Sequence, residues 1–591
     1  MRGLRVSGLS SLALLAACSS EAGSPARDAG TDITADITAD VTADITADIT
    51  ADVTADVTAD VTADVTADVT ADVTADAGSV SARVRLLAPL SGAVLGGDQP
   101  TLRWEARSEP EVTTTVQVCT ERSCARPVVE QTVLGGSVRL AAPLPRGRYY
   151  WRARRERGVF SATWRFAVPG GVRPHSGSTV GATGDVDGDG RDDLTVLWNI
   201  PGYLGDATPI GLRAGLGLAE LHGTSAGLGP VRWVPIPMGS VPVPPTVMVG
   251  DADGDGFTDQ LVGLRDRPER TRLDQFAGSA VGLISTPIHY IVETYYSAVL
   301  PAGDMDGDGY GDAVLSLNYR AASGGGVWWM RGSAAGFLAP ARFAAPYDSR
   351  SGMVTGSLAT GDFNGDDFGD VVVCGTEGDP CRVFTGSAAG PPVAPTVEIP
   401  PTMDHDGFGA RATSTGDVNG DGFADLIISA YETRRPQLTS LYLGSAAGLP
   451  TAPSRVLEDC SGCFPAPFIA VGDVTGDGID DLVRGDDFSM LQLFPGGPDV
   501  LLGAPRELPI FGNPQPLRRD FNGDGNGDLV VRRDNDLGQS VFEVFLWEAA
   551  GFRSIMTFQF GPSTTSPHPV EVGVAPARPA FRLAARRVAR A

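Results

Sequence analysis

The chain of 591 residues has no lysine, only five histidines, and an aromatic share of 7%. Its 46 basic residues are therefore all arginine, and they face 72 acids, for a formal net charge of -26. That balance excludes nucleic acid or an anionic membrane surface as the main partner, because phosphate recognition needs a net positive footprint. The histidines at 175, 222, 289, 405 and 568 are far apart. Without lysine, and with no His/Tyr/Arg constellation, no general base for an enzyme is in view. The apolar run Val6 to Ala17, preceded by Arg2 and Arg5, is about a third too short to span a bilayer and has the layout of a secretory signal. What is abundant is glycine (75) and proline (44), about a fifth of the chain, alongside 42% hydrophobic content. This combination excludes a wholly low-complexity chain and points to several turn-rich β domains.

Leu15-Ala16-Ala17-Cys18 resembles the lipobox of bacterial lipoproteins. The resemblance implies a signal over residues 1–17 and a lipidated Cys18; Ser19 after it implies an outer-membrane address. From Asp32 to Asp76 the repeat Ile/Val-Thr-Ala-Asp places an aspartate at every fourth position, twelve in all. A helix would stack these like charges at i, i+4 and hold β-branched residues at half its positions. A strand of this length has no turn and no fixed register. Residues 18–80 are therefore expected to be a disordered, self-repelling tether with an upper reach of about 3.3 Å per residue. Residues 566–591 end in an arginine-rich stretch expected to be a disordered tail.

Residues 81–169 carry short β-type runs separated by Pro and Gly turns: Thr101–Trp104, Thr115–Cys119, Ser137–Leu140, Tyr149–Arg154 and Ser161–Phe166. Their alternation predicts a small β-sandwich. With Trp104 on an early strand and Tyr150 or Trp151 on a late one, the segment resembles a fibronectin type III module, and its expected role is spacing rather than binding.

Residues 170–565 contain seven copies of one acidic loop, whose starts are 66, 53, 58, 55, 56 and 47 residues apart. The oxygen-bearing positions 1, 3, 5 and 9 are Asp185, Asp187, Asp189 and Asp193 in the first copy, Asp251, Asp253, Asp255 and Asp259 in the second, and Asp304, Asp306, Asp308 and Asp312 in the third. Then come Asp362, Asn364, Asp366 and Asp370; Asp417, Asn419, Asp421 and Asp425; Asp473, Thr475, Asp477 and Asp481; and Asp520, Asn522, Asp524 and Asp528. Position 7, which offers a backbone carbonyl, is Arg191, Phe257, Tyr310, Phe368, Phe423, Ile479 and Asn526 in turn. Hard oxygens at this spacing, with glycine at position 6 for the sharp turn, suit one Ca²⁺ per loop and suit Mg²⁺ less well. Asp367 replaces that glycine in the fourth copy and Thr475 replaces an acid in the sixth, so both sites are expected to be weaker. An EF-hand needs an acid at position 12, where this chain has Val196, Val262, Leu315, Val373, Ile428, Arg484 and Val531. A strand-like run, not a helix, follows each loop, which also argues against dockerin.

A second signature, Gly-Ser/Thr-x-x-Gly, follows the first five loops after about thirty residues or fewer, at Gly223, Gly278, Gly332, Gly386 and Gly444, and is degenerate in the last two units. Each unit then holds four short strands, the arithmetic of a β-propeller blade. The loops and turns together resemble the FG-GAP repeats of the integrin α-subunit head and of many bacterial exported proteins. The resemblance implies an all-β, seven-bladed β-propeller with up to seven structural Ca²⁺ ions on one face, between the first two strands of each blade. The name-giving Phe-Gly is clear only at Phe408-Gly409, so partner recognition of the integrin type is not implied.

The cysteines besides Cys18 fall in close pairs, Cys119 with Cys124, Cys374 with Cys381, and Cys460 with Cys463, which in an exported protein read as three short-loop disulfides. Cys460-Ser-Gly-Cys463 could instead be a redox or zinc motif, but no second pair accompanies it. Arg484-Gly485-Asp486 spells an integrin-binding tripeptide at the end of an expected inner strand, and reads as incidental. The stretch Asn199 to Leu216 and Trp328-Trp329 are candidates for a binding face or for core. The expectation is a monomeric, non-enzymatic, lipid-anchored binding or adhesion module for an extracellular protein or glycan, touching membrane only through its anchor. The alternatives are a polysaccharide-active enzyme and a purely structural envelope protein.

Overall fold

The structure is a computed structural model. It describes residues 84–560 except 106–112, 169–177, 180–183, 200–215, 237–240, 293–295, 318–325, 345–356, 376–378, 402–406, 431–435, 462–467, 486–488, 498–504, 516–518, 535–539 and a few single or paired residues. The signal, Cys18, the tether and the arginine-rich tail lie outside the described residues. So does the proposed Cys460–Cys463 pair, since nothing is described of Cys463 or of the Cys460 side chain. The described residues contain no helix; they belong to the unit Ser81–Ala591.

Nine strands form the N-terminal part: β1 (Leu86–Ala88), β2 (Ala93–Leu95), β3 (Thr101–Trp104), β4 (Thr113–Cys119), β5 (Pro127–Leu134), β6 (Ser137–Arg139), β7 (Gly147–Arg155), β8 (Trp164–Val168) and β9 (Ser178–Thr179). They make a three-stranded sheet, β1-β3-β6, and a six-stranded sheet, β5-β4-β7-β8-β2-β9. Period-2 alternation places Leu102, Trp104, Val116, Val118, Trp151 and Phe166 in one core, where Trp151 meets Trp164 edge-on at 6.2 Å. Burying side chains of this size contributes roughly 2–3 kcal/mol each against the entropy of ordering the strands. Ser178 and Thr179, on the far side of residue 170, pair with β2 and so tie the following chain into this sheet.

Seven antiparallel sheets follow in chain order. The first has strands Leu194–Asn199, Leu216–Thr224 and Gly227–Pro235; the others have four strands each and occupy residues 241–292, 296–344, 357–399, 411–461, 468–511 and 513–560. Second strands such as Asp370–Cys374 are buried at every residue, which explains why they read as unbroken apolar runs: both of their faces are covered. Seven hydrophobic clusters fill the spaces between neighbouring sheets. One packs Val186 and Leu218 of the first sheet region against Val262 and Phe276 of the second. Another packs Leu194 and Leu221 of the first against Phe521, Val544 and Leu546 of the last. The series of sheets therefore closes on itself, and closure removes the exposed edges an open series would leave.

Candidate metal centre and its cover

In sheets two to seven the acidic loop joins the first strand to the second, and in the first sheet it leads into Leu194–Asn199. The loop is built by its own carboxylates. Position 1 accepts the N–H of position 6 through Oδ2 in all seven copies, for example Gly256 to Asp251 at 2.7 Å and Gly525 to Asp520 at 2.8 Å. Glycine at position 6 is left-handed, as at Gly256 with φ 92°; Asp367 in the fourth copy adopts φ 71° to follow the same path.

Position 9 opens the second strand and acts as a tie. Its Oδ2 accepts the N–H of position 2 in every loop, such as Val186 to Asp193 at 2.8 Å. Its Oδ1 accepts the first N–H of the later Gly turn, as in Gly223 to Asp193 at 2.8 Å and Gly444 to Asp425 at 2.8 Å, with Trp547 taking that place for Asp528 at 3.1 Å. The two sequence signatures are thus one structural device, in which a buried aspartate knots loop to turn. The turn closes on itself: Ser279 Oγ donates to the carbonyl of Gly282, at φ 90°.

A cation fits this donor set. In each of the first three loops, three aspartates (185, 187, 193; 251, 253, 255; 304, 306, 308) bring one carboxylate oxygen apiece within 4.8 Å of one another. In the first two loops the buried Oδ1 of Asp185 and of Asp251 has no hydrogen-bond partner, an orphaned acceptor that is costly unless something positive meets it. Burial and neighbouring carboxylates push Asp193 up to about 8, Asp255 and Asp304 to about 7, and Asp251, Asp259, Asp312, Asp362 and Asp425 well above the usual range. Oxygen-only ligands, several of them carboxylates, suit Ca²⁺.

Two loops carry a built-in cation. His222 Nδ1 lies 2.9 Å from Asp187 Oδ2 and its Nε2 bonds the fully buried Glu220, contacts that push His222 up to about 10. Arg331 reaches Asp306 at 2.5 Å and Asp308 at 2.8 Å. Each is the residue just before the Gly turn of its own sheet, whereas the second sheet has Ala277 there. Motif spacing alone had not singled these two out, although their position beside the turn glycine is regular enough to do so.

The loops do not face open solvent alone. Donors from the N-terminal sandwich meet the glycine carbonyls at positions 4 and 6. Trp164 Nε1 donates to Gly254 at 3.2 Å, Arg122 Nη1 to Gly256 at 2.9 Å, Arg165 Nη1 to Gly190 at 3.1 Å and Arg146 Nη2 to Gly525 at 2.7 Å. Arg146 also bonds Gly476, and Arg148 bonds Gly523. Arg165 is buried and pairs with Asp185 at 3.5 Å and Asp192 at 3.1 Å; Arg146 pairs with Asp473 at 2.8 Å and Arg103 with Asp367 at 3.2 Å. A cleft of about 580 Å³ remains between the two parts, with Arg148, Arg165, Arg519 and Asp520 on its walls. The seat was not legible from motif spacing; the signal that could have found it is that residues 81–169 hold fourteen arginines against seven acids in a chain of net charge -26.

Of the other expected features, the Cys119–Cys124 and Cys374–Cys381 disulfides are present, with Cα–Cα distances of 5.2 and 4.1 Å. Phe408 is buried in the same cluster as the second pair, and a Cβ on Gly409 would stand 2.8 Å from that of Cys374, a close approach only glycine allows. Trp328 and Trp329 pack partly buried against two different cores. Arg484 lies over the Phe468 ring at 5.4 Å, while Asp486 of the tripeptide and residues 200–215 lie outside the described residues.

A family model described as the FG-GAP repeat matches residues 409–437. That segment starts at Gly409 and holds the whole fifth loop. Among solved structures, the chain is similar to the rhamnogalacturonan lyase of Bacillus licheniformis at 14% identity and TM-score 0.22, over 78% of this chain and 66% of that one. It is similar to the rhamnogalacturonan lyase YesW at 14% identity and TM-score 0.24, over 80% and 68%. A protein of unknown function from Bacteroides thetaiotaomicron matches at 13% identity and TM-score 0.27, over 77% and 96%.

Proposed function

We propose that the seven sheets are the blades of a Ca²⁺-stabilised β-propeller, and that the chain is an exported, envelope-anchored, non-enzymatic module that binds an extracellular protein or glycan. The observation that carries the metal part is the pair of orphaned, buried oxygens on Asp185 and Asp251 inside converging carboxylates. Seven loops of this kind hold up to seven ions, with Asp367 and Thr475 marking the weaker sites. Lipidation at Cys18 would supply the membrane contact, and residues 18–80 the reach from it.

The antiparallel order of the strands supports a choice of binding face. The sandwich sits at the end of the sheets that carries the acidic loops. The strands on either side of 200–215, 318–325 and 345–356 have their facing ends away from the acidic loops. Binding residues concentrate on such connecting segments over a rigid scaffold. The test is binding of the soluble chain to a broad glycan array and to intact cells under crosslinking, in millimolar Ca²⁺ and with chelator. Saturable binding lost on trimming the 200–215 connection supports the reading; Ca²⁺-loaded, folded protein that binds nothing, or that cleaves a polysaccharide, overturns it.

A further inference from the structure

We infer that the N-terminal sandwich is a cation-dependent latch on the acidic loops: it seats when they are loaded and lifts when their cations are withdrawn. This rests on the Ca²⁺ reading above. Its basis is a division of labour among loop oxygens. In each of the first three loops three aspartate side chains bring oxygens together, whereas the carbonyls of Gly190, Gly254, Gly256, Gly476, Gly523 and Gly525 accept from six sandwich side chains: Ser91, Arg122, Arg146, Arg148, Trp164 and Arg165. All six glycines are left-handed, so this array exists only while the loop keeps its closed turn. Where an arginine touches a position-1 aspartate, it meets Oδ2 in each of the first, sixth and seventh loops. Oδ1 is left to the loop interior.

The fit is close enough to depend on loop shape. A Cβ on Gly190 would lie 2.2 Å from the Tyr150 hydroxyl, and one on Gly256 would lie 2.6 Å from the Thr163 carbonyl. Tyr150 itself is backed by the Cys119–Cys124 disulfide, so the sandwich presents a rigid surface. Charge favours the same sign of coupling. The four aspartates of the first loop leave a net negative charge after one divalent ion binds, so the arginines are still attracted. Without the ion, nothing draws the converging oxygens to one centre, and the turn that aims the carbonyls loosens. Two events that need one loop shape must reinforce each other reciprocally, by a factor on the order of 5 to 150. Docking therefore tightens Ca²⁺ at the covered loops as much as Ca²⁺ tightens docking.

The test is competitive Ca²⁺ titration of the full chain against a chromophoric chelator, for the native protein, an R146A/R148A variant and an R126A control whose exposed arginine makes no hydrogen bond or ion pair to the loops among the described residues. R122A, which removes the hydrogen bonds to the second loop, is the second variant should the double one fold poorly. Solution scattering is recorded at each Ca²⁺ level where melting shows the sheets intact. The expected result is about a tenfold weaker affinity for a subset of ions in R146A/R148A, none in R126A, and a larger radius of gyration as Ca²⁺ falls. Unchanged affinities in both loop-contacting variants would overturn the latch while leaving Ca²⁺ binding in place. So would a chain that becomes more compact on chelation, since arginine would then be replacing the ion. A native chain that binds no Ca²⁺ overturns the metal reading, and the latch with it.

Discussion

The second and third loops carry the same four aspartates at the same four positions, yet they are neutralised differently. In the third, Arg331 holds Asp306 and Asp308 at 2.5 and 2.8 Å. In the second the corresponding residue is Ala277, and burial with the nearby Asp253 pushes Asp255 up to about 7. The difference teaches that a ligand motif fixes where oxygens go but not how much charge they retain. One residue outside the motif, immediately before the turn glycine, sets whether a guanidinium from the loop's own sheet already pairs with its carboxylates. The second loop should therefore be the tighter Ca²⁺ site and the third the weaker.

The comparison presupposes that the ions matter, and the largest effect tests that. With a Kd near 0.1 mM, typical of extracellular modules, about 1 mM Ca²⁺ adds roughly 1.4 kcal/mol per site and about 10 kcal/mol over seven. Chelation at neutral pH is expected to lower the melting temperature by about 10 °C. Calorimetry showing a melt indifferent to EDTA would remove the basis for ranking the loops at all.

The next effect is a pH dependence of unusual sign. Asp193 and Asp528 are pushed up to about 8, and Asp304, Asp370 and Asp481 to about 7, mainly by burial. Unfolded aspartates titrate near 3.9, so between about pH 4 and pH 8 the cation-free folded chain binds more protons than the unfolded one. Its stability must then fall as pH rises through that window. In EDTA the melting temperature is expected to climb as pH is lowered from 8 to 6, and in saturating Ca²⁺ this trend should vanish or reverse. The same slope in both conditions would mean that the carboxylates do not meet the ion.

Much of this was legible in sequence. Seven nine-residue loops, the Gly turns and the strand runs pointed to an all-β series of sheets, and the strand-like run expected after each loop is a strand, as at Asp370–Cys374. What spacing could not show was the bond between the two signatures. Asp425 reaches the N–H of Gly444 only because the strands between them pair in register. Nor could it show the seat of the sandwich, because Arg146 and its partner Asp473 are 327 residues apart. Such contacts follow from the surface the folded parts present, not from any local period. The role of the residue before the turn glycine was readable in principle, but only once the turn was known to face its own loop.

Exchanging that residue breaks or sharpens the comparison directly. R331A should raise Ca²⁺ affinity at the third loop about fivefold, and A277R should lower it at the second by a similar factor, the effect of a partly exposed ion pair worth roughly 1 kcal/mol. Site-resolved titration of both variants decides the matter. If neither moves, the guanidinium is a bystander on the outer oxygens, and the two loops are equivalent after all.

The smallest effect concerns the fourth loop, where Asp367 takes the place of glycine. A non-glycine residue at φ 71° carries a backbone cost of about 1 kcal/mol. Its carboxylate pairs with Arg103 of the sandwich at 3.2 Å, a partly exposed contact worth about 0–1 kcal/mol. The two nearly offset, so Asp367→Gly alone should shift the melting temperature by no more than a degree or two. In an Arg103→Ala background the pairing is already gone, and the same substitution should then show the backbone gain undiminished. A loss of stability in both backgrounds would mean that the Asp367 carboxylate serves the loop itself, making the fourth copy a variant metal site rather than a weakened one.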